Sequence, residues 1–423
     1  MALNRDQQAG FMQVIKFING TEKYMNISGP AGTGKTFFIS QIAEGILRHK
    51  KQSSTLDAVV ITATTNKAVA VIAEAMPNRS KEIKTVYNFM NLRVKENFST
   101  GKTSVIPTNS WRVHQGILLI IDECSMVNKE LFKWLDSGLS SSCKVIFVGD
   151  MNQLAPIREE ISPIYTENYN TAYLTIPVRN AGKQALMDLC EQARQTVLTG
   201  VFTKIKEVPG VIDFVDGPTL KGVLEREYLK EDPNHRVISY TNKRVIEYNT
   251  YIRMLRGYTN PFEVGEILSN NAAVDLMGKQ RLYTDQIVRV TSIIADVMNT
   301  DIILGHAFRT ITMEVEDVTT GRKHEATSFA FPNDRRDVLK HYSDNTTWDK
   351  YFRIKNSIPD LRSVAASTTH KAQGSTYDSV IVDLADIGKS TNKGQTARMQ
   401  YVALSRPKTK ITIRGALPDR YFQ

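Results

Sequence analysis

Long apolar runs are missing from this chain. No stretch approaches the roughly 20 residues a membrane-crossing helix needs, and the apolar content of 41% is ordinary for a globular protein. Behind Met1-Ala2-Leu3-Asn4-Arg5 there is no apolar signal segment. Cysteine is scarce as well. Cys124, Cys143 and Cys190 form no close pair, so neither a disulfide framework nor a cysteine-held zinc is expected. These absences argue against a membrane protein and a disulfide-stapled secreted domain, and the expected location is cytoplasmic.

Acids are the minority charge. Lys plus Arg outnumber Asp plus Glu by 54 to 44, which favours a polyanionic partner. The bias sharpens after Asp386, where Lys389, Lys393, Arg398, Arg406, Lys408, Lys410, Arg414 and Arg420 face a single acid, Asp419. A solvated basic face is the plainer alternative. With 423 residues the chain can hold about two to four domains with real cores.

The most informative stretch is Gly29-Pro30-Ala31-Gly32-Thr33-Gly34-Lys35-Thr36. Gly, four residues, then Gly-Lys-Thr is the spacing of a phosphate-binding loop. Tyr24-Met25-Asn26-Ile27-Ser28 ahead of it reads as a short buried strand. Phe38, Ile42 and Ile46 behind it recur at helical spacing. Loop N–H groups and the positive end of that helix make an anion site for the β- and γ-phosphates of a nucleoside triphosphate. Lys35 adds a point charge, and the Thr36 hydroxyl suits Mg2+.

Upstream, Leu3 to Gln8 precede a helix. Asn4 and Gln7 fit a capping box, and Gln7 fits an adenine contact equally well. Ala58-Val59-Val60-Ile61 reads as a buried strand, with Thr62 to Lys67 at its carboxyl end, where an open α/β sheet collects ligands. Hydroxyls and amides there suit a nucleic-acid backbone, or simply cap the helix that follows. Ile117 to Ile121 deliver two adjacent acids: Asp122 suits Mg2+ and Glu123 suits the attacking water. Lys144 to Asp150 repeat the strand-to-acid layout. Gln153 follows, fit to sense a γ-phosphate or to satisfy its own loop, and Arg179 lies where a first domain hands over to a second. Between them, Val94 to Ile106 read as a hairpin turning at Gly101. Phe98 on that ribbon can stack on a base or stabilise the hairpin.

Strand patterns resume at Val211 to Phe214 and Val237 to Tyr240, and Thr241-Asn242-Lys243 echoes Thr65-Asn66-Lys67. From about Met254 to Leu361 the text becomes β-rich, with strands at Gln286 to Ile294 and Arg309 to Asp317 around Gly305, then two helices. That is the pattern of an inserted module. The α/β pattern returns with Val364 to Ser375, Val380 to Leu384 and Tyr401 to Arg406. His370 reads as a core histidine or, beside Thr369 and Gln373, as part of a ligand-facing turn. Arg406 alone reads as a surface ion pair.

Taken in order, GPAGTGKT, ITATTNKA, TVYNFM, IIDE, VGDMNQLAP, TIPVRN, TTHKAQGSTYDSV and YVALSRPK resemble the motifs of a superfamily 1 helicase, most like the RecD-like 5′→3′ branch. The resemblance implies an α/β fold of two RecA-like P-loop NTPase domains, with ATP and Mg2+ between them and single-stranded DNA across both. Domain 1A would be 1–175, with the 91–115 hairpin as pin. Domain 2A would be 176–253 and 362–423, and 254–361 an SH3-like domain 2B. Gln7 would contact adenine, while residues 29–36 and Thr36 with Asp122 would hold phosphates and metal. Lys35, Glu123, Gln153, Arg179 and Arg406 would be catalytic, the arginines acting as fingers. DNA would meet Thr64, Asn66, Lys67, Tyr87, Phe98, Thr241, Asn242, Thr369 and His370. The implied activity is ATP-dependent unwinding at duplex/single-strand junctions in replication, repair or recombination, by a monomer, with single-strand-binding or replication proteins as further partners. A nucleotide-gated remodelling ATPase and a phosphotransferase are the competing classes.

Overall fold

The computed structural model describes residues 2–49, 56–80, 82–156, 159–179, 182–276, 280–301 and 306–422. Gly305 and Asn180, the last residue of TIPVRN, lie outside them. The chain forms two compact units.

The first unit comprises Met1–Arg93, Val105–Phe214 and Ala372–Gln423. Residues 176–214 and 372–423 belong to this unit together with the phosphate loop. Its main sheet has six strands in the order Lys84–Thr85, Ala58–Ala63, Ile117–Asp122, Lys144–Gly149, Tyr24–Ser28, Asn170–Tyr173. All five pairings are parallel. Every residue of Ile117–Asp122 and of Lys144–Gly149 is buried, as central parallel strands covered on both faces require. Register places Ser28 beside Gly149, and Ala63 beside Asp122. The carboxyl ends that carry the functional motifs thus finish on one edge. Phe38, Ile42 and Ile46 of the helix Lys35–His49 join one core with Met25, Ile27 and Ile61.

Also in this unit, Tyr377–Asp383 pairs in parallel with Pro407–Arg414, and Ile212–Val215 lies beside the latter. The helix Lys393–Leu404 packs on Gln184–Thr199 and buries eight of its residues, from Thr396 through Leu404. A helix covered on nearly all sides is held by its surroundings rather than by one apolar stripe.

The second unit comprises Val94–Ser104 and Val215–Lys371. His235–Ser239 pairs in parallel with Ala366–Thr368. An antiparallel sheet runs Lys323–Phe329, His306–Asp317, Ile287–Asp301, Ile267–Asn270, Leu361–Ser363. Its two long strands outrun the expected segments, and register shifts at Val290/Ser292 and Ile293/Ala295 bend them. Pro332–Asp344 and Trp348–Ser357 form the two expected helices.

The expected hairpin forms, and its tip rests on the second of these helices. Asn97 Oδ1 accepts the N–H groups of Ser99 and Thr100, and Gly101 closes the turn at φ +68°. Phe98 meets Phe352 edge-on with ring centres 5.3 Å apart, and Asn356 Nδ2 donates to Glu96 Oε2 at 2.7 Å. A Cβ on Gly101 would stand 2.5 Å from the Trp348 ring, so only glycine lets the turn lie on it. Among the described residues no helix is long and apolar enough to cross a membrane. Trp348→Ala removes the platform under the turn. We expect tryptic cleavage after Lys102 to accelerate about tenfold or more, for a loss of about 1.4 kcal/mol or more in local closure; unchanged cleavage would show that the ring does not hold the tip.

Candidate nucleotide and nucleic-acid site

Conformation and crowding both explain the glycines of residues 29–36. Gly32 and Gly34 have φ of +89° and +78°, where a side chain is strained. Gly32 also has Arg179 against it, since an added Cβ would lie 3.0 Å from the Arg179 Cβ. The helix behind the loop has no acid in its first turn, so nothing offsets its positive end. Lys35 Nζ donates to the Gly29 and Pro30 carbonyls at 2.7 and 3.0 Å. Thr36 is the second residue of that helix, and Thr33 is fully buried with its hydroxyl on Pro30 O.

Gln7 serves the cap. Asn4 Oδ1 accepts the Gln7 N–H at 2.9 Å, and Gln7 Oε1 accepts the Asn4 N–H at 3.1 Å. The same side chain donates from Nε2 to Thr33 O at 3.4 Å, so the cap also touches the phosphate loop.

The acids sit where the central strand ends. Asp122 is buried, and that burial followed by the Glu123 carboxylate pushes its pKa well up, while Lys35 opposes the shift. Glu123 has left-handed backbone, φ 52° and ψ 43°, which is unusual for a side chain of this size. Its Oε2 is buried without a hydrogen-bond partner. The unpaired Oε1 of Gln153 belongs to the turn that follows the neighbouring strand, and Gln153 itself is 2% exposed. Gln373 and Ser375 lie beside these groups and have no assigned role from sequence. Gln373 Nε2 donates to Ser125 Oγ at 3.1 Å, its Oε1 is unpaired, and Gly374 between them approaches Glu123 Oε1. The string THKAQG carries that signal in its glutamine as well as in its histidine.

Arg179 comes to this loop, and the Arg406 charge is close enough for Arg179 to feel it. Val178 and Arg179 each donate a backbone N–H to Gly32 O, at 2.7 and 3.0 Å, and Arg179 Nη1 donates to Ser405 O at 3.1 Å. Arg406 is 2% exposed, not the surface ion pair that is its plainest reading. It donates to Val402 O, Ser375 O and Ser405 Oγ. Burial, and then the neighbouring Arg406 charge, pull Arg179 down to about 10. Arg179 stays charged at neutral pH, and the hydrogen bonds of both arginines go to neutral oxygens. A half-buried and a buried cation held this way favour an anion near them.

The nucleic-acid candidates divide between the units. In the first, Thr64 Oγ1 donates to Glu123 O at 3.1 Å, Asn66 is exposed, Lys67 is partly exposed, and Tyr87 is half-buried with its phenol pKa raised by burial. In the second, Thr369 Oγ1 donates to Ser239 O at 3.0 Å, His370 is exposed, and Asn242 begins a helix. Thr65 and Thr241 accept N–H groups of Ala68 and Arg244, so both Thr-Asn-Lys stretches are capped helix starts. Phe98 is 57% exposed despite its contact with Phe352.

Backbone strain at Glu123 gives a direct test. Glu123→Gly should raise stability by about 1 kcal/mol in urea unfolding, because glycine relieves the left-handed geometry; a loss of stability would mean the carboxylate itself supports the fold.

Residues 14–159 match an AAA domain, and residues 363–413 match a UvrD-like helicase C-terminal domain. The ATP-dependent DNA helicase Dda of Enterobacteria phage T4 is 24% identical over 418 residues, covering 90% of this chain and 92% of that protein. An uncharacterized protein of Acanthamoeba polyphaga mimivirus is 22% identical, covering 96% and 99%. The Pif1 helicase from Bacteroides, solved with ADP-AlF3 and ssDNA, shares the fold at 16% identity with a TM-score of 0.53, covering 100% of this chain and 94% of that one. With an AAA match followed by a UvrD-like helicase C-terminal match in this order, the chain is similar to the superfamily 1 helicases and resembles Dda.

Proposed function

We propose that this chain is an ATP-driven DNA helicase that moves 5′ to 3′ on single-stranded DNA and opens duplexes at single-strand junctions. The observation that carries the reading is one cluster: a phosphate loop, an unpaired Glu123 oxygen, and the half-buried Arg179 and buried Arg406 bound to neutral oxygens. Such a cluster is costly until a polyphosphate reaches it.

Lys35 gives up the Gly29 and Pro30 carbonyls for phosphate oxygens, and the loop amides bind the rest. Thr36 and Asp122 would hold Mg2+, and the paired acids Asp122 and Glu123, with burial raising the Asp122 pKa, fit a cation. Among the described residues no group of three or more His, Cys, Asp or Glu forms an all-protein cage, as suits an ion shared with phosphates. When bound, Mg2+ supplies positive charge against the phosphates. Glu123 takes the proton of the attacking water, Gln153 orients it, and Arg179 and Arg406 stabilise the charge that develops. Gln7 meets the adenine edge.

Lobes divided at 1–175, 176–253 with 362–423, and an SH3-like 254–361 are the moving parts of this reading. Thr64, Asn66, Lys67 and Tyr87 on one lobe, and Thr241, Asn242, Thr369 and His370 on the other, grip DNA in alternation, with Phe98 at the strand-splitting pin. The enzyme works as a cytoplasmic monomer in replication, repair or recombination, alongside single-strand-binding or replication proteins.

ATP turnover measured with and without single-stranded DNA tests the reading. Strong stimulation is expected, and its absence would favour a remodelling ATPase. Glu123→Gln should cut hydrolysis by about 10²–10⁴-fold, and Arg406→Ala by about 10³-fold or more, both with nucleotide binding kept; turnover within a few-fold of wild type overturns these roles. Unwinding of a 5′-tailed but not a 3′-tailed duplex is expected, and activity on the 3′ tail alone rejects the polarity.

A further inference from the structure

Tyr401, near the end of the buried helix Lys393–Leu404, is 1% exposed and serves two partners. Its hydroxyl donates to Asp150 Oδ2 at 2.6 Å and accepts the Ala31 N–H at 3.0 Å. Ala31 is in the phosphate loop, whose amides are the groups a polyphosphate needs. Asp150 opens the turn that carries Gln153. Its Oδ1 accepts the Asn152 N–H at 3.0 Å, and Gln153 Nε2 lies 3.5 Å from its Oδ2. One turn earlier on the helix, Arg398 Nη1 donates to the carbonyls of Met151 and of Gln153. A single helix therefore touches both the loop and the turn.

The hydroxyl is a weak competitor for that amide. Burial and the Asp150 carboxylate hold the phenol pKa far above its ordinary value, so the group stays neutral. A phosphate oxygen is charged and makes the stronger acceptor for an N–H. The cavity of about 80 Å³ beside Tyr401 is lined by Ala31, Gly32, Arg179 and Ser405, so the exchange takes place among the site's own residues.

Resting on the nucleotide-binding reading above, we propose that Tyr401 is a positioning residue whose hydroxyl holds the Ala31 N–H until a nucleotide phosphate takes it. Filling of the loop is then passed through Asp150 to the Gln153 turn. The hydroxyl, released from Ala31, keeps only its bond to Asp150, and the turn is free to move with the phosphate rather than with the empty loop.

Tyr401→Phe keeps the ring and removes the hydroxyl. Equilibrium titrations with a fluorescent ADP analogue and a non-hydrolysable ATP analogue come first, on wild type and variant. Nucleotide binding by the variant should tighten about three- to tenfold, because the phosphate no longer competes for the amide. The ratio of DNA-stimulated to basal ATP turnover should fall several-fold, because the turn no longer reports the state of the loop. Simple damage to packing would weaken binding, so the tightening separates the two causes. Unchanged or weaker binding by the variant, or an unchanged stimulation ratio, overturns this inference alone. Wild-type protein that binds neither probe overturns the ATPase reading and this inference together. If Tyr401→Phe does not fold, Asp150→Ala removes the acceptor that aims the hydroxyl and should shift both quantities in the same direction.

Discussion

The Gly32 carbonyl accepts two backbone N–H groups, from Val178 and Arg179, and the site depends on that clasp. It fixes the approach of an arginine to a phosphate loop through main chain alone. Rotamer freedom, which is large for arginine, then matters only beyond Cβ. The clasp also explains why residue 32 is glycine: a side chain there would be strained in backbone and would meet Arg179. Arg179 continues to the carbonyl of Ser405, next to Arg406, so one backbone contact organises both cations.

Around this clasp the interior is left polar and incomplete. Glu123 Oε2, Gln153 Oε1, Gln373 Oε1 and Ser375 Oγ are buried without partners. Each such group costs about 1–3 kcal/mol if nothing reaches it. Their concentration about the Asp122–Glu123 acid pair and the arginines Arg179 and Arg406 argues for ligand atoms rather than poor packing. Other unpaired atoms, such as Ser363 Oγ and Ser239 Oγ, are in the second unit.

Much of this was legible in sequence because it is local. Five apolar residues ending in acids at 117–123 could only be a buried strand delivering charge, and the Asn4–Gln7 cap and the turn at Gly101 follow from spacings of a few residues. Helix-capping threonines at 65 and 241 were legible as one of two readings, and the caps formed. What stayed hidden is long in range. Tyr401 meets Asp150 and Ala31 across 251 and 370 positions, and periodicity holds no record of such pairs. Arg406 shows the same limit, since charge alone suggests a surface and only packing around Lys393–Leu404 reveals a buried cation. Ile212–Val215 beside Pro407–Arg414 is a further case, two strands that lie far apart in the chain.

The left-handed backbone at Glu123 places selection for endurance and selection for work in opposition. Lineages screened only for survival at high temperature would be drawn towards glycine at this one codon, and would lose the carboxylate proposed as proton acceptor as they gained robustness.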